Sequence, residues 1–246
     1  MCGRYSLFVP PSTLEEQFGV SVPRRYEPRY NAAPGQDLPV VRGDVADELS
    51  YANWGLVPSW VDDPEDAIRP INARAETVRE KPTFRAAFEA DSGDAGGVAA
   101  GRCLVPADGF YEWAGTDAGK QPYRVTMVDD EPFAMAGLYA VWEGVERQVG
   151  LDAFAGGSAD PEATRLVTFA VVTTEPNDLV SDLHHRMAVL LAPDEYDTWL
   201  HGDADEAEPL LDPYPADAMR AYPVSTAVND PSNDSPMVVE PVATDG

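Results

Sequence analysis

Short apolar runs, separated by segments that contain proline or glycine, limit the kind of fold that this chain can adopt. The first run, residues 3–9, is strand-like and stops at Pro10-Pro11, because proline cannot donate a hydrogen bond to a sheet. The run 54–60 contains Pro58, and we predict an edge strand that enters a loop there. Further runs typical of sheet strands lie at 38–42, at 102–113 with a turn inside it, at 123–128, 133–142 and 166–172, and from 222 onward.

Helical signals are fewer and shorter than strand signals. Ser12-Thr13 is predicted to cap a helix over 14–18, and helices are also expected from 75, over 83–90 and over 192–200. Many short strands with few helices predict an α+β fold. We expect one domain over residues 1–236, with loops at 91–97 and 156–161, and an acidic tail over 237–246.

Acidic side chains dominate the composition. The 246 residues include 43 acidic and 17 basic side chains, which gives a formal net charge of -26. Only Lys81 and Lys120 are lysines. Such a composition is typical of proteins adapted to multimolar salt, where screening weakens repulsion between like charges. We therefore interpret the acidity as adaptation to a halophilic interior and not as a clue to the binding partner.

Targeting signals are missing from the sequence. The N-terminal segment has no long apolar run, and no stretch approaches the ~20 apolar residues of a membrane span. The two cysteines, Cys2 and Cys103, are too few to suggest a disulfide framework. We expect a soluble, cytoplasmic protein, a monomer without membrane contact.

Cys2 directly follows the initiator methionine, and its small side chain should allow Met1 to be removed. The mature chain would then carry an α-amine, with a pKa of about 7.7, and a thiol, with a pKa of about 8.5, on one residue. An aldehyde is captured by such an amine as an imine, and the thiol then closes a five-membered thiazolidine ring. Cys2 alone does not establish this chemistry, since a small terminal residue without a role is equally compatible with the sequence.

Groups that move protons are the second requirement of such chemistry. Glu112 lies among aromatic residues that can desolvate it and raise its pKa. His184 and His185 are adjacent, so in a strand only one of them would face a site, whereas His201 lies in an acidic stretch and is expected to be solvated. Asn72 suits either an amide hydrogen bond in a site or a turn. We predict neither a metal nor another cofactor, since no zinc-site spacing or phosphate-binding glycine loop is present.

Together these segments resemble the SOS-response-associated peptidase (SRAP) family. The resemblance rests on Met1-Cys2-Gly3-Arg4, residues 31–36, 54–60, 72–77 and 102–113, and His184-His185-Arg186-Met187, in the order of the family. It extends to residues 222–229 and so spans nearly the whole chain. Two departures, Ala188 and Pro176, affect the local backbone and remove no reactive group.

The resemblance implies a fold and a function. The fold would have a mainly antiparallel, strongly bent sheet core with short peripheral helices. The function would be binding of single-stranded DNA and covalent crosslinking to abasic sites, as part of the response to DNA damage. The family's site residues carry over as catalytic Cys2, Asn72, Glu112 and His184, and as DNA-binding Arg4, Asn31, Trp60, Arg74, Trp113, Thr173 and Arg186.

Two alternatives use the same residues. An N-terminal cysteine hydrolase, a peptidase or amidase, would use the Cys2 amine as general base, and its substrate could be Met1 alone. A noncovalent DNA-binding module would need only the arginines and tryptophans. Arginines interleaved with aromatic residues fit DNA better than a peptide.

Overall fold

Strands account for most of the regular structure of this protein. The computed structural model describes residues 2–45, 47–90, 100–116, 119–145 and 163–243. The strands are β1 (Tyr5–Leu7), β2 (Arg29–Ala32), β3 (Asp37–Arg42), β4 (Leu49–Trp54), β5 (Asn72–Arg74), β6 (Ala100–Ala107), β7 (Gly109–Thr116), β8 (Gly119–Met127), β9 (Phe133–Val145), β10 (Ala163–Thr174), β11 (Met187–Ala188), β12 (Leu190–Leu191) and β13 (Met219–Pro223). The α-helices are α1 (Pro11–Phe18), α2 (Pro82–Phe88), α3 (Asp178–Ser181), α4 (Tyr196–His201) and α5 (Ala204–Ala207). Single 3-10 turns include Ala75–Thr77, Thr226–Asn229 and Pro236–Val238.

Five strands pair in a closed ring. The order is β10-β4-β3-β6-β9, and β9 pairs back with β10. The pairs are antiparallel except β4 with β10, and β5 adds a second parallel neighbour to β10. The main hydrophobic core is built from side chains of this ring, among them Val40, Leu104, Leu138 and Phe169. Closing the ring leaves fewer strand edges to be covered.

A second sheet carries the N-terminal strand. Its order is β13-β8-β7-β1-β2, with antiparallel pairs throughout. A smaller apolar cluster lies beside it, formed by Tyr111, Val224, Val228 and Val238. Because β7 follows β6 after one residue, Asp108, the chain passes directly from the ring into this second sheet.

Asp108 fixes β1 to that corner. Its carboxylate accepts hydrogen bonds from Ser6 Oγ at 2.6 Å, from Arg124 Nη2 at 2.8 Å and from the backbone amide of Phe8. The Asp108 and Arg124 side chains are both buried. A buried ion pair with several hydrogen bonds holds its geometry tightly, since any displacement leaves a charge without a partner.

The α+β fold and the mainly antiparallel pairing expected from the sequence are confirmed, whereas the strong bend stays a prediction. The predicted break inside 102–113 is the β6–β7 corner at Asp108. Residue 238 is buried and Pro241 pairs with Val224, so the segment predicted as a tail packs on the domain at least to 241. The domain limit at 236 stays a prediction.

Three local predictions were wrong. Helix α1 begins at Pro11 without a side-chain cap, because proline at the first position already has a helical φ, and Ser12 lies inside the helix. The edge strand over 54–60 does not form, since β4 ends at Trp54 and Gly55 has a φ of 142° that turns the chain. The helix expected from 75 is one 3-10 turn.

Some expectations fall on residues that the structure does not describe. The loops at 91–97 and 156–161, residue Met1 and residues 244–246 lie outside the described residues. In the part of the chain that the structure describes, no helix has the length and apolar character needed to cross a membrane.

We predict that Asp108→Ala lowers the free energy of unfolding by about 3–5 kcal/mol, because it leaves the buried Arg124 charge unpaired. Urea unfolding checks this. Glu143→Ala is the matched control, since the Glu143–Arg165 pair is exposed at 3.5 Å and its loss should cost less than about 1 kcal/mol. Similar losses in both variants would contradict the role given to Asp108.

Candidate active site

Cys2 lies three residues before the start of β1, and its side chain is inside the protein. Strand β1 pairs with β2 and β7, and the amide of Tyr111 donates to Arg4 O at 3.0 Å, which extends this pairing toward the N-terminus. The Cys2 side chain is fully buried. Its Sγ lies 3.8 Å from Arg4 O and 4.0 Å from Met135 Sδ on β9. Cys2, which precedes the N-terminal strand of the second sheet, therefore contacts β9 of the ring.

Burial controls the reactivity of this thiol. Loss of hydration, with a smaller contribution from the charge of Glu112, raises the pKa of Cys2 to about 12. The thiol is therefore protonated at neutral pH, and a protonated thiol is a poor nucleophile. Cys2 needs a neighbouring base before its sulfur can react.

Glu112 is the acid–base group next to Cys2. It lies on β7, opposite Tyr123 of β8, and is only 2% exposed. Burial raises the pKa of its carboxyl group from 4.5 to about 7. A carboxyl group with that pKa is both a proton donor and a proton acceptor near neutral pH. The sequence-based expectation of a desolvated Glu112 is therefore met by the burial of this side chain.

Asn72 holds the backbone of Cys2. Its Nδ2 donates to Cys2 O at 3.0 Å, while its Oδ1 is buried and accepts no hydrogen bond from the described residues. Strand β5 presents Asn72 because it pairs in parallel with β10, where Val171 is the partner of Asn72. The amide therefore orients the first peptide group and keeps one acceptor for a ligand.

His184 and His185 lie in the connection between α3 and β11, with ring centroids 4.2 Å apart. They are not in a strand, so the alternation argument for their opposite orientations was wrong. Exposure still separates them, since His184 is half-buried and His185 is exposed. The backbone amide of Arg186 donates to His184 Nδ1 at 3.1 Å, and burial lowers the pKa of His184. His184 is therefore the more restrained of the two rings, and it is neutral at neutral pH.

Four of the residues predicted to contact DNA lie at accessible or half-accessible positions. Arg74 is exposed, and Trp60 is 64% exposed. Trp113 is half-buried and donates Nε1 to Asn229 Oδ1 at 2.7 Å, while Arg4 donates Nη2 to Asn229 O at 3.3 Å. Asn229 thus joins Arg4 to Trp113.

The other three predicted DNA contacts make hydrogen bonds within the protein. Asn31 is buried and donates Nδ2 to three carbonyl groups of residues 228–233. Thr173 is buried and donates to Ala73 O at 3.3 Å. Arg186 is buried and pairs with Glu76. These three side chains thus already have partners within the protein, and their direct contact with DNA stays a prediction.

Sequence reasoning missed three residues of this region. Met135 contacts Cys2, but nothing distinguishes it from other apolar residues in a strand. Glu76 belongs to the motif 72–77, but the sequence indicates no role for it. Asn229 belongs to the C-terminal segment of the resemblance, and its link between Arg4 and Trp113 depends on the fold.

Comparison with known proteins adds to this geometry. The family model described as SOS response associated peptidase (SRAP) matches residues 1–231. A Bacillus subtilis protein named abasic site processing protein YoqW is 38% identical over 248 residues, which is 98% of this chain and 99% of that protein. The Gallus gallus abasic site processing protein HMCES is 30% identical over 250 residues, 89% of this chain and 67% of that protein. A crystal structure of a protein from Bacteroides thetaiotaomicron, 27% identical, has a TM-score of 0.80 and covers 98% of this chain and 100% of its own.

Glu112 should give the stability of the protein a measurable pH dependence. The folded-state pKa of about 7 is above the ordinary 4.5, so the folded state holds this proton more tightly than the unfolded state does. The free energy of unfolding should therefore fall by about 3 kcal/mol between pH 4.5 and pH 7 relative to a variant without this carboxyl group. Urea unfolding of wild type and Glu112→Gln across this range checks it. The same pH dependence in both proteins would contradict the raised pKa.

Proposed function

This chain belongs to the SOS response associated peptidase (SRAP) family, and on that basis we propose that it processes abasic sites in single-stranded DNA by forming a covalent thiazolidine with Cys2. The names of the relatives support abasic-site processing. The observation that carries the covalent step is the buried Cys2 beside a carboxyl group with a pKa of about 7. The crosslink would shield the damaged strand.

The reaction begins after Met1 is removed. The α-amine of Cys2 attacks C1′ of the ring-opened abasic sugar, so an N–C1′ bond forms and the aldehyde oxygen takes up a proton. Glu112 protonates the resulting hydroxyl group, and one water leaves to give a protonated imine and the Glu112 carboxylate. The thiol then adds to the same carbon, an S–C1′ bond forms, the thiol proton passes to Glu112, and the ring nitrogen keeps the hydrogen that it already carries. The overall change is the loss of one water.

Burial sets the order of these steps. With Met1 in place, loss of hydration raises the pKa of the Cys2 thiol to about 12. The same desolvation disfavours the thiolate after Met1 is removed, so we propose that the amine reacts with the aldehyde first. Having given its proton to the leaving water, Glu112 is a carboxylate and accepts the thiol proton during ring closure. One carboxyl group near pH 7 therefore serves both half-reactions.

Asn72 and His184 complete the proposed machinery. The hydrogen bond from Asn72 to Cys2 O fixes the residue that carries the amine, and the remaining buried Oδ1 is an acceptor for the amine or for a sugar hydroxyl group. His184 is neutral, since burial lowers its pKa, and so it can exchange a proton with the ring oxygen when the sugar opens.

The hydrolase alternative is less well supported. A cysteine hydrolase requires a thiolate or a readily activated thiol, and burial has the opposite effect on Cys2. We restrict any peptidase activity of this chain to removal of Met1. Noncovalent DNA binding requires no proton transfer, so this alternative gives no role to Glu112, whose pKa is raised to about 7.

The DNA strand is proposed to follow the accessible residues around Cys2. Arg4 and Arg74 would contact phosphates, and Trp60 and Trp113 would stack on bases. Asn31, Thr173 and Arg186 would support this surface from inside. We propose that a single chain suffices for the reaction.

Substitution of Cys2 tests the covalent step. We expect Cys2→Ala to form no SDS-stable adduct with an abasic oligonucleotide, because the sulfur is absent, while it remains folded. Cys2→Ser keeps the amine, so borohydride should trap its imine although no adduct forms without reductant. Gel electrophoresis in SDS measures both. An SDS-stable adduct of Cys2→Ala without reductant would refute the aminothiol mechanism.

The two histidines provide a matched pair. His184→Ala should slow crosslinking by roughly 10²–10⁴-fold, the range expected when acid–base catalysis is lost. His185→Ala should be close to wild type, because His185 is exposed. Single-turnover rates with excess protein measure the difference. Equal losses in the two variants would overturn the assignment to His184.

Salt tests the proposal that the chain is adapted to a halophilic interior. With the two phosphate contacts proposed for Arg4 and Arg74, a twentyfold rise in salt should weaken noncovalent binding to a single strand by roughly 10²-fold. A covalent bond, once formed, does not depend on counterions. We therefore expect crosslinks that form slowly yet reach high yield in multimolar potassium chloride, and Arg74→Ala should lower the rate more than the final yield. A final yield that collapses with salt while circular dichroism shows folded protein would contradict this.

A further inference from the structure

The guanidinium group of Arg186 links three segments of the chain. Nη1 and Nη2 donate to the two oxygens of the Glu76 carboxylate, with Nη2 to Oε2 at 2.9 Å. Nη2 also donates to the backbone oxygen of Thr173 at 2.6 Å. A bidentate pair of this kind fixes both the distance and the orientation of its partners.

Each of these segments leads directly to the proposed site. Glu76 lies in the 3-10 turn that follows β5, four residues after Asn72. Thr173 lies on β10 and is the register partner of Arg74 on β5. The amide of Arg186 donates to His184 Nδ1 at 3.1 Å. The position of the His184 ring relative to Asn72 therefore depends on the Arg186 contacts.

Glu76 is the residue of this ion pair that is better suited to substitution, because its side chain is more exposed than that of Arg186. Its side chain is 47% exposed, whereas that of Arg186 is 11% exposed. Without the carboxylate, the buried guanidinium would retain only the backbone oxygen and hydroxyl group of Thr173 as partners within the link. A buried cation that loses its anion is driven toward water, and residues 184–186 would move with it.

We propose that Glu76 is a positioning residue of this site. It acts through Arg186 and fixes the position of the His184 imidazole relative to Asn72 and Cys2. The inference rests on the proposed crosslinking function and deepens it. Glu76 itself touches no reacting atom in this account. Its effect is on the rate of the chemical steps and not on the binding of DNA.

If Glu76 acted only through its negative charge, its substitution would change the crosslinking rate in the opposite direction from that expected for a positioning residue. Glu76 is an exposed carboxylate whose pKa is lowered mainly by the hydrogen bond from Arg186 and to a smaller extent by the charge of Arg74. If Glu76 only repelled phosphates, its neutralisation would strengthen DNA binding and speed crosslinking. The positioning role predicts slower crosslinking. The sign of the change therefore separates the two roles.

Glu76→Gln is the test variant, and Glu80→Gln is its control. The control removes an exposed carboxylate four residues along the chain and changes the net charge equally. We expect Glu76→Gln to lower the maximal crosslinking rate at saturating abasic oligonucleotide by roughly 10–10²-fold, the loss expected from a misplaced catalytic group. The half-saturating oligonucleotide concentration should not rise, and Glu80→Gln should match wild type. A faster maximal rate would overturn the proposal. So would an unchanged maximal rate with a higher half-saturating concentration of oligonucleotide.

A double-variant cycle tests whether the effect passes through His184. In a His184→Ala background, Glu76→Gln should have little further effect, because the ring that it positions is gone. The same fold-loss in both backgrounds would show that Glu76 acts independently of His184. That outcome would contradict the proposal even though the single variant is slow.

A measurement without DNA separates this inference from the proposed function. If wild type forms no adduct, the proposed function fails, but the nitrogen-15 shifts of the His184 ring in wild type and Glu76→Gln still report its position. We expect them to differ, and unchanged shifts would overturn the positioning role. Should Glu76→Gln fail to fold, Arg186→Lys replaces it, since lysine keeps the charge but cannot make the bidentate contact.

Discussion

Pairing of β1 with β2 and β7 is the constraint on which the site depends. N-terminal residues of a domain are usually poorly ordered unless a strand or helix holds them. Here the Asp108–Arg124 ion pair and Ser6 fix β1 to the corner between the two sheets, and Cys2 is buried against Met135 of the ring. A terminal residue thus acquires the fixed geometry of a core residue, as a reaction at two groups of one residue requires.

The same burial determines the chemistry. Desolvation raises the pKa values of Cys2 and Glu112 together, which keeps the thiol protonated and places the carboxyl group near pH 7. The charge of Glu112 also opposes ionisation of the thiol. One physical cause thus disfavours the thiolate that a hydrolase needs and favours an amine-first reaction with an aldehyde. The proposed function follows from this balance more than from any single residue.

Sequence patterns predicted the strands well, because alternation and proline or glycine breaks are local signals. The break at Asp108 and the short helix α2 are examples. Motif resemblance proposed Cys2, Asn72, Glu112 and His184, and the structure gathers Asn72 and Glu112 about Cys2. The hydrogen-bond partners of Asn31 and Arg186 within the protein could not be predicted, since they lie about 200 and 110 residues away in sequence. The pairing of β9 with β10, which closes the ring, could not be predicted either, because strand pairing depends on tertiary contacts.

The intact mass of the purified protein, before and after incubation with an abasic single-stranded oligonucleotide, shows whether Cys2 forms the thiazolidine. Before incubation, we expect the mass of the chain without Met1. Afterwards, we expect the sum of that mass and the oligonucleotide minus one water, and this species should persist in acid without reductant, as a thiazolidine does and an imine does not. Retention of Met1 in a protein that still forms the adduct, or an adduct that loses no water, would exclude the thiazolidine at Cys2.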